Sequence, residues 1–198
     1  MCLLTTQQRS GPTSRVTVFL ASRPYPLRLS AVSRHRDPQS YVVHELRRFG
    51  GIRRGTTIGA QLAENLPFFV GSQWSELKSV LTSLPSSRGF IPERCAAEWL
   101  AESLAGLGPK QSRNLLQSLG LTRYEIPIDS RITRWLNEVG FPIRLNAAGL
   151  ADPAYYNFVS DGVRELCKAA RVYPCVLDAV VFSMADRDGW EALNLRWA

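Results

Sequence analysis

The chain is short of lysine, cysteine and histidine, and each shortage narrows what it can do. Of the 24 Lys and Arg in 198 residues only three are lysine: Lys78, Lys110 and Lys168. The four cysteines, Cys2, Cys95, Cys167 and Cys175, include no CxxC pair. Their spacing excludes the usual zinc and iron–sulfur ligand patterns. Four thiols without a disulfide framework fit a reducing compartment. The two histidines, His35 and His44, stand far along the chain from other plausible ligands, so surface or packing roles account for both. No apolar run reaches about 18 residues, and no membrane span or membrane partner is expected.

Negative charge is also missing from one end. Residues 1–36 contain no acid, and residues 1–55 hold ten arginines against Asp37 and Glu45. The remaining residues hold fourteen basic and fifteen acidic groups, so the formal net charge of +7 is a property of the N-terminal part. That excess fits a solvated arm or a phosphate-contacting segment and points to a polyanionic partner. The acid-free composition of residues 1–36 is shared by organellar transit peptides and nucleic-acid-binding arms. The free thiols lead to the expectation of an intracellular location.

With 45% hydrophobic residues, the chain has enough apolar content for one sizeable core or two small helical lobes. Val16–Leu20 and Leu27–Val32 are β-prone runs flanking the turn-rich Ser22–Pro26, which predicts a small hairpin. Pro38 predicts a helix over 39–49, ended by Gly50-Gly51. From about residue 56 the pattern is helical. Thr57 caps a segment to Asn65, and Pro67 opens another that continues through Trp74, Leu77, Val80, Leu81 and Leu84 at helical spacing, with Trp74 as core. Pro85–Gly89 breaks the pattern. Pro92–Leu104 reads as a helix, Leu107-Gly108-Pro109 as a tight hairpin, and Lys110–Leu119 as a helix closed by Gly120. Asp129 caps a helix over 130–139, and 153–170 and 174–186 are the last two. The expected organisation is an arginine-rich segment over 1–55, with a short β hairpin and a helix, followed by an all-α body over 56–198.

Lys110 and Asp129 are the chemical suspects. Arginine stays protonated and cannot attack as an amine; lysine can once its pKa is lowered. A chain that otherwise uses arginine keeps a lysine directly after a two-glycine turn, Gly106-Leu107-Gly108-Pro109. Such a turn lets backbone approach a phosphate, and the following helix presents N–H groups to it. Lys110 falls in the first turn of its helix, where the macrodipole disfavours a cation and lowers an amine pKa; a plain phosphate contact is the alternative. Asp129 suits a helix N-cap, worth roughly 0.5–2 kcal/mol. A capping carboxylate, held rigidly and kept ionised, also suits the stabilisation of a developing cation.

Residues 93–136, read as Glu93…Trp99-Leu100…Leu104-Ala105-Gly106-Leu107-Gly108-Pro109-Lys110…Leu115-Leu116…Gly120…Ile126-Pro127-Ile128-Asp129-Ser130-Arg131-Ile132…Trp135-Leu136, resemble the helix-hairpin-helix DNA glycosylases. The Lys-plus-Asp form resembles their bifunctional 8-oxoguanine DNA glycosylase/AP lyase branch. The resemblance covers about a quarter of the chain, with a weaker extension through Leu177–Phe182. The missing cysteine cluster separates the chain from the iron–sulfur branches. The resemblance implies a fold of two helical lobes and a monomeric enzyme on double-stranded DNA bearing a damaged base. It implies Lys110 as nucleophile at C1′, Asp129 beside it, and Gly106, Gly108, Pro109 and Arg131 on the DNA backbone. It further implies Asp178 and Phe182 in the base pocket, with a core role for Phe182 and a capping role for Asp178 as the alternatives. Gln73 would fill the gap left by the extruded base. No cofactor is required, though a structural monovalent cation on the hairpin carbonyls occurs in relatives. Two other readings stay open: a glycosylase/lyase for a different modified base, and a non-catalytic hairpin DNA-binding protein.

Overall fold

The computed structural model describes residues 2–185 apart from 9, 10 and 12. Among the described residues the fold is all-α, with no strand. Eleven helices follow one another: α1 (Cys2–Thr5), α2 (Arg15–Leu20), α3 (Leu29–Val32), α4 (Pro38–Phe49), α5 (Gly55–Val70), α6 (Trp74–Ser83), α7 (Phe90–Ser103), α8 (Pro109–Ser118), α9 (Ser130–Glu138), α10 (Pro153–Ala169) and α11 (Pro174–Ala185). Single 3₁₀ turns lie at Leu84–Ser86 and Gly149–Ala151.

The predicted N-terminal hairpin is not formed: both β-prone runs fold into short helices, α2 and α3. Ser14 caps α2 by accepting from Thr17 N. Val16 and Phe19, three apart, are buried while Val18 between them is exposed. That is a helical stripe, and packing against it overrides the β preference of Val, Thr and Phe. Three further readings need correction. Thr57 does not cap a helix: it lies inside α5, which begins at Gly55 after Arg54. Pro67 does not open a new segment; it sits inside α5, which runs on to Val70. Trp74 is not core: it opens α6 with 46% of its surface exposed.

Elsewhere the local signals act as read. Asp37 Oδ1 accepts from Ser40 N at 2.9 Å, Pro38 occupies the first turn, and Gly50 ends α4. These are the N-cap and C-terminal chemistries that satisfy orphan helix groups.

The chain divides into two compact units. Among the described residues, unit 1 comprises 2–80 and 104–106, and unit 2 comprises 81–103 and 107–185. In unit 1, α4 and α5 pack along each other. Phe19 makes edge-to-face contacts with Tyr25 and Phe49, at 5.7 and 5.0 Å between centroids. In unit 2 the core gathers Ile126, Ile128, Ile132, Leu136, Val159 and Val163 with Tyr156 and Val181. This packs α9, α10 and α11 together and fixes the segment that leads into Asp129.

Candidate active site

The extended segment Ile126-Pro127-Ile128 is fully buried and delivers Asp129 to the N-terminus of α9. Asp129 Oδ1 accepts from the backbone N–H of Arg131 at 2.8 Å and of Ile132 at 3.2 Å. Oδ2 accepts from Arg131 Nε at 2.9 Å and Nη2 at 2.7 Å. Burial opposes ionisation of Asp129, but the Arg131 hydrogen bonds and charge, with the two backbone donors, hold its carboxyl below the usual range. The arrangement is a fixed anion.

Arg131 also lies over the ring of Phe182, its Cζ 4.1 Å from the centroid, within cation–π range. Phe182 belongs to α11, which packs on α9. One turn earlier on α11 stands Asp178. Gln117 Nε2 of α8 donates to Asp178 Oδ2 at 2.6 Å. Burial pushes the Asp178 carboxyl up; the Gln117 hydrogen bond pulls it down, Asp129 raises it further, and Arg131 and Lys110 lower it. Asp178 is thus the common electrostatic neighbour of Asp129, Arg131 and Lys110. The Gln117 Oε1 atom is buried and accepts no hydrogen bond.

Lys110 is half-buried in the first turn of α8, directly after Pro109. The hairpin before it uses its two glycines differently. Gly106 has φ +81°, and a Cβ there would lie 2.4 Å from the Gln61 side chain; backbone and packing both demand glycine. Gly108 has φ −90° and ψ −172°, and nothing lies within 4 Å of where its Cβ would be. Nothing in the fold requires glycine at 108, and the space above it is open. Asn65 holds the hairpin through Ala105, donating to its carbonyl at 2.9 Å and accepting from its N–H at 2.7 Å.

A buried ionic hub fixes α8. Arg113 and Glu125 have side chains 1% and 0% exposed and meet at 2.6 Å. Arg113 Nη1 donates to Pro109 O at 3.0 Å, inside the first turn that carries Lys110, and Nη2 donates to Asn157 Oδ1 at 2.9 Å. Its guanidinium lies 4.5 Å from the Tyr156 ring centroid. The Tyr156 hydroxyl donates to Ile126 O and accepts from Ile128 N. Arg94 and Arg164 complete the hub, each on Glu125 and on Asp161. One network therefore ties the turn bearing Lys110 to the segment bearing Asp129. Glu93 braces the same segment, accepting from the backbone N–H groups of Arg123, Tyr124 and Glu125.

Of the residues singled out from the sequence, Asp129, Arg131 and Phe182 are in contact, and Asp178 feels the charges of Asp129, Arg131 and Lys110. Arg131 is engaged with Asp129 and Phe182. Gln73 is exposed in the turn before α6 and belongs to unit 1. The sequence reading missed Gln117 and the Arg113–Glu125–Tyr156 hub. Their partners lie 12 to 61 positions away, a distance at which no local pattern reports contact. Three hairpin-region carbonyls are already engaged: Ala105 O by Asn65, Gly108 O by Ser112 N, and Pro109 O by Ser112 and Arg113. A cation there would have to share them. Among the described residues no group of three His, Cys, Asp or Glu could hold a metal ion, and no helix is long and apolar enough to cross a membrane. The cysteines are free thiols, and burial pushes Cys167 up to about 11.

No protein-family model, curated protein or solved structure matches the chain.

Proposed function

We propose that the chain is a base-excision DNA repair enzyme, a bifunctional glycosylase/AP lyase that removes an oxidised purine such as 8-oxoguanine from duplex DNA. The observation that carries this reading is that Asp178 lies within electrostatic reach of both the Lys110 amine and the Asp129 carboxylate, one turn from the Phe182 ring. Asp129 is fully hydrogen-bonded and held ionised; Asp178 is held protonated more readily by burial and by its neighbour's charge. Paired titratable groups pushed apart in this way divide electrostatic and proton-transfer roles.

The damaged nucleotide leaves the stack. The Lys110 amine attacks C1′ through its nitrogen lone pair, the C1′–N bond breaks, and its electron pair leaves with the base, which takes up a proton. The Asp129 carboxylate stabilises the positive charge that develops on the sugar. The amine proton passes to Asp178 or to water. Ring opening gives the C1′ imine, a proton leaves C2′, and the C3′–O bond breaks to nick the strand. Phe182 offers a stacking surface for the extruded base. Gly106, Gly108 and Pro109, with the N–H groups of α8, take the DNA backbone, and Arg131 orients Asp129 beside it. Gln73 fills the vacated stack. No step needs a metal or organic cofactor.

Lys110→Gln tests the reading. It should abolish covalent trapping on abasic duplex by borohydride while leaving duplex binding in place. A trapped adduct in that variant would remove Lys110 as the nucleophile.

A further inference from the structure

The two units differ in charge in a way the proposed chemistry does not use. Among the described residues unit 1 carries ten Lys and Arg against four Asp and Glu; unit 2 carries eleven against ten. Unit 2, which holds Lys110, Asp129 and Asp178, is therefore close to neutral. Four of its arginines are turned inward, while Arg88, Arg123, Arg134, Arg144 and Arg171 are exposed. Arg94, Arg113 and Arg164 close on Glu125 and Asp161, and Arg131 closes on Asp129. A guanidinium already paired with a carboxylate releases few counterions when a phosphate approaches.

Unit 1 is the reverse. The described arginines of residues 1–55 are not a loose arm; they sit on helices and their connections. On α4, Val42 and Leu46 face the core, while Ser40, His44, Arg47 and Arg48 are exposed. Arg53 is exposed in the connection to α5. Arg15 binds the end of α4, donating to Phe49 O at 2.6 Å and to Gly50 O. It thereby fixes the connection that carries Arg53, whose N–H is held by Gln8 at 2.9 Å. From Leu46 to Ala63 there is no carboxylate at all. Glu45 is the one acid beside the patch; it pairs with Arg48, whose side chain stays 69% exposed.

We infer that the exposed arginines at the end of α4, Arg47, Arg48 and Arg53, form the phosphate-gripping surface of this protein, so that unit 1 supplies affinity for duplex DNA and unit 2 supplies chemistry. The inference rests on the proposed reading for the identity of the polyanion, but not on Lys110. Contacts of this kind are sequence-independent and salt-sensitive: each phosphate neutralised contributes close to one to the slope of log affinity against log salt.

The test is the salt dependence of binding to an undamaged duplex, read by fluorescence anisotropy. Arg47→Gln/Arg48→Gln/Arg53→Gln should make the slope shallower by about 1.8, chiefly through Arg47 and Arg53, and weaken binding on the order of a hundred-fold near 0.1 M salt. A matched neutralisation in unit 2, Arg88→Gln/Lys168→Gln/Arg171→Gln, also removes three exposed cations and should leave the slope near that of the parent. An unchanged slope in the unit 1 variant, or an equal loss in the unit 2 variant, overturns the inference. Borohydride trapping of the parent on abasic duplex separates the two claims. The predicted slope change without a Lys110-dependent adduct keeps the surface and removes the enzyme. An adduct with an unchanged slope does the opposite. A parent that binds no duplex overturns both.

Discussion

Replacing Glu125 with glutamine should destabilise the protein severely, although no atom is added or lost from the shape. The Glu125 side chain is fully buried and accepts from Arg113 at 2.6 Å, Arg94 at 3.0 Å and Arg164 at 3.3 Å. Arg94 and Arg164 have a second carboxylate in Asp161 and are 16% and 13% exposed. Arg113 has neither relief. Its other acceptors, Pro109 O and Asn157 Oδ1, are neutral, and its side chain is 1% exposed. Neutralising Glu125 therefore leaves a buried guanidinium without a countercharge, a change that costs about 3–5 kcal/mol. For a chain of this length each kcal/mol moves Tm by roughly 2–4 °C, so the drop should be about 6–20 °C. Arg113→Met added to Glu125→Gln removes the stranded charge and should recover a clear part of the loss, giving a positive coupling in the double-mutant cycle. Thermal and urea unfolding of the parent, both single variants and the double variant measure it. A Glu125→Gln protein melting within about 2 °C of the parent, or a double variant no better than the sum of the singles, would refute the assignment of the hub as a tightly coupled buried network.

Four further variants have expected outcomes. Because the Asp129 carboxyl is held below its ordinary value, its stabilising contribution is complete above that value and is lost as pH falls through the folded one. The stability gap between the parent and Asp129→Asn should therefore shrink on acidification below about pH 4. Turnover of the same variant should fall sharply at neutral pH; full activity would reduce Asp129 to a cap. Asp178 runs the other way: its raised pKa makes stability fall as pH climbs from the unfolded carboxylate value through the folded one, so Asp178→Asn should flatten that decline in pH-dependent unfolding. Gly106→Ala should destabilise by about 1–2 kcal/mol from the left-handed backbone alone, with the Gln61 clash added. Gly108→Ala should leave the unfolding free energy within about 0.5 kcal/mol of the parent while weakening duplex binding, and unchanged binding would remove Gly108 from the interface.

Much of the fold was legible where structure is decided locally. Asp129, Asp37, Gly50, Gly120 and Gly140 mark helix ends because caps and left-handed glycines act on neighbouring backbone groups. Residues 16–20 were misread because Val, Thr and Phe favour strands only when a strand partner exists. Here Val16 and Phe19 are buried on one side of a helix instead. Pro67 was misread because a proline inside a helix costs stability without forbidding the helix when packing supports it. In the candidate site, Lys110 and Asp129 stood out by residue type and by their place at helix starts. What surrounds them did not. Gln117 meets Asp178 across 61 positions, and Glu125 gathers arginines from α7, α8 and α10. Nothing in a single sequence marks a carboxylate that will be buried among three guanidinium groups.

The central claim is that Lys110 is an amine nucleophile. Borohydride trapping on duplexes carrying 8-oxoguanine or an abasic site, with Lys110→Gln in parallel, tests it most directly. The account predicts a covalent protein–DNA adduct with both duplexes from the parent and with neither from the variant. Tight duplex binding with no adduct on either substrate would contradict it and leave a hairpin DNA-binding protein.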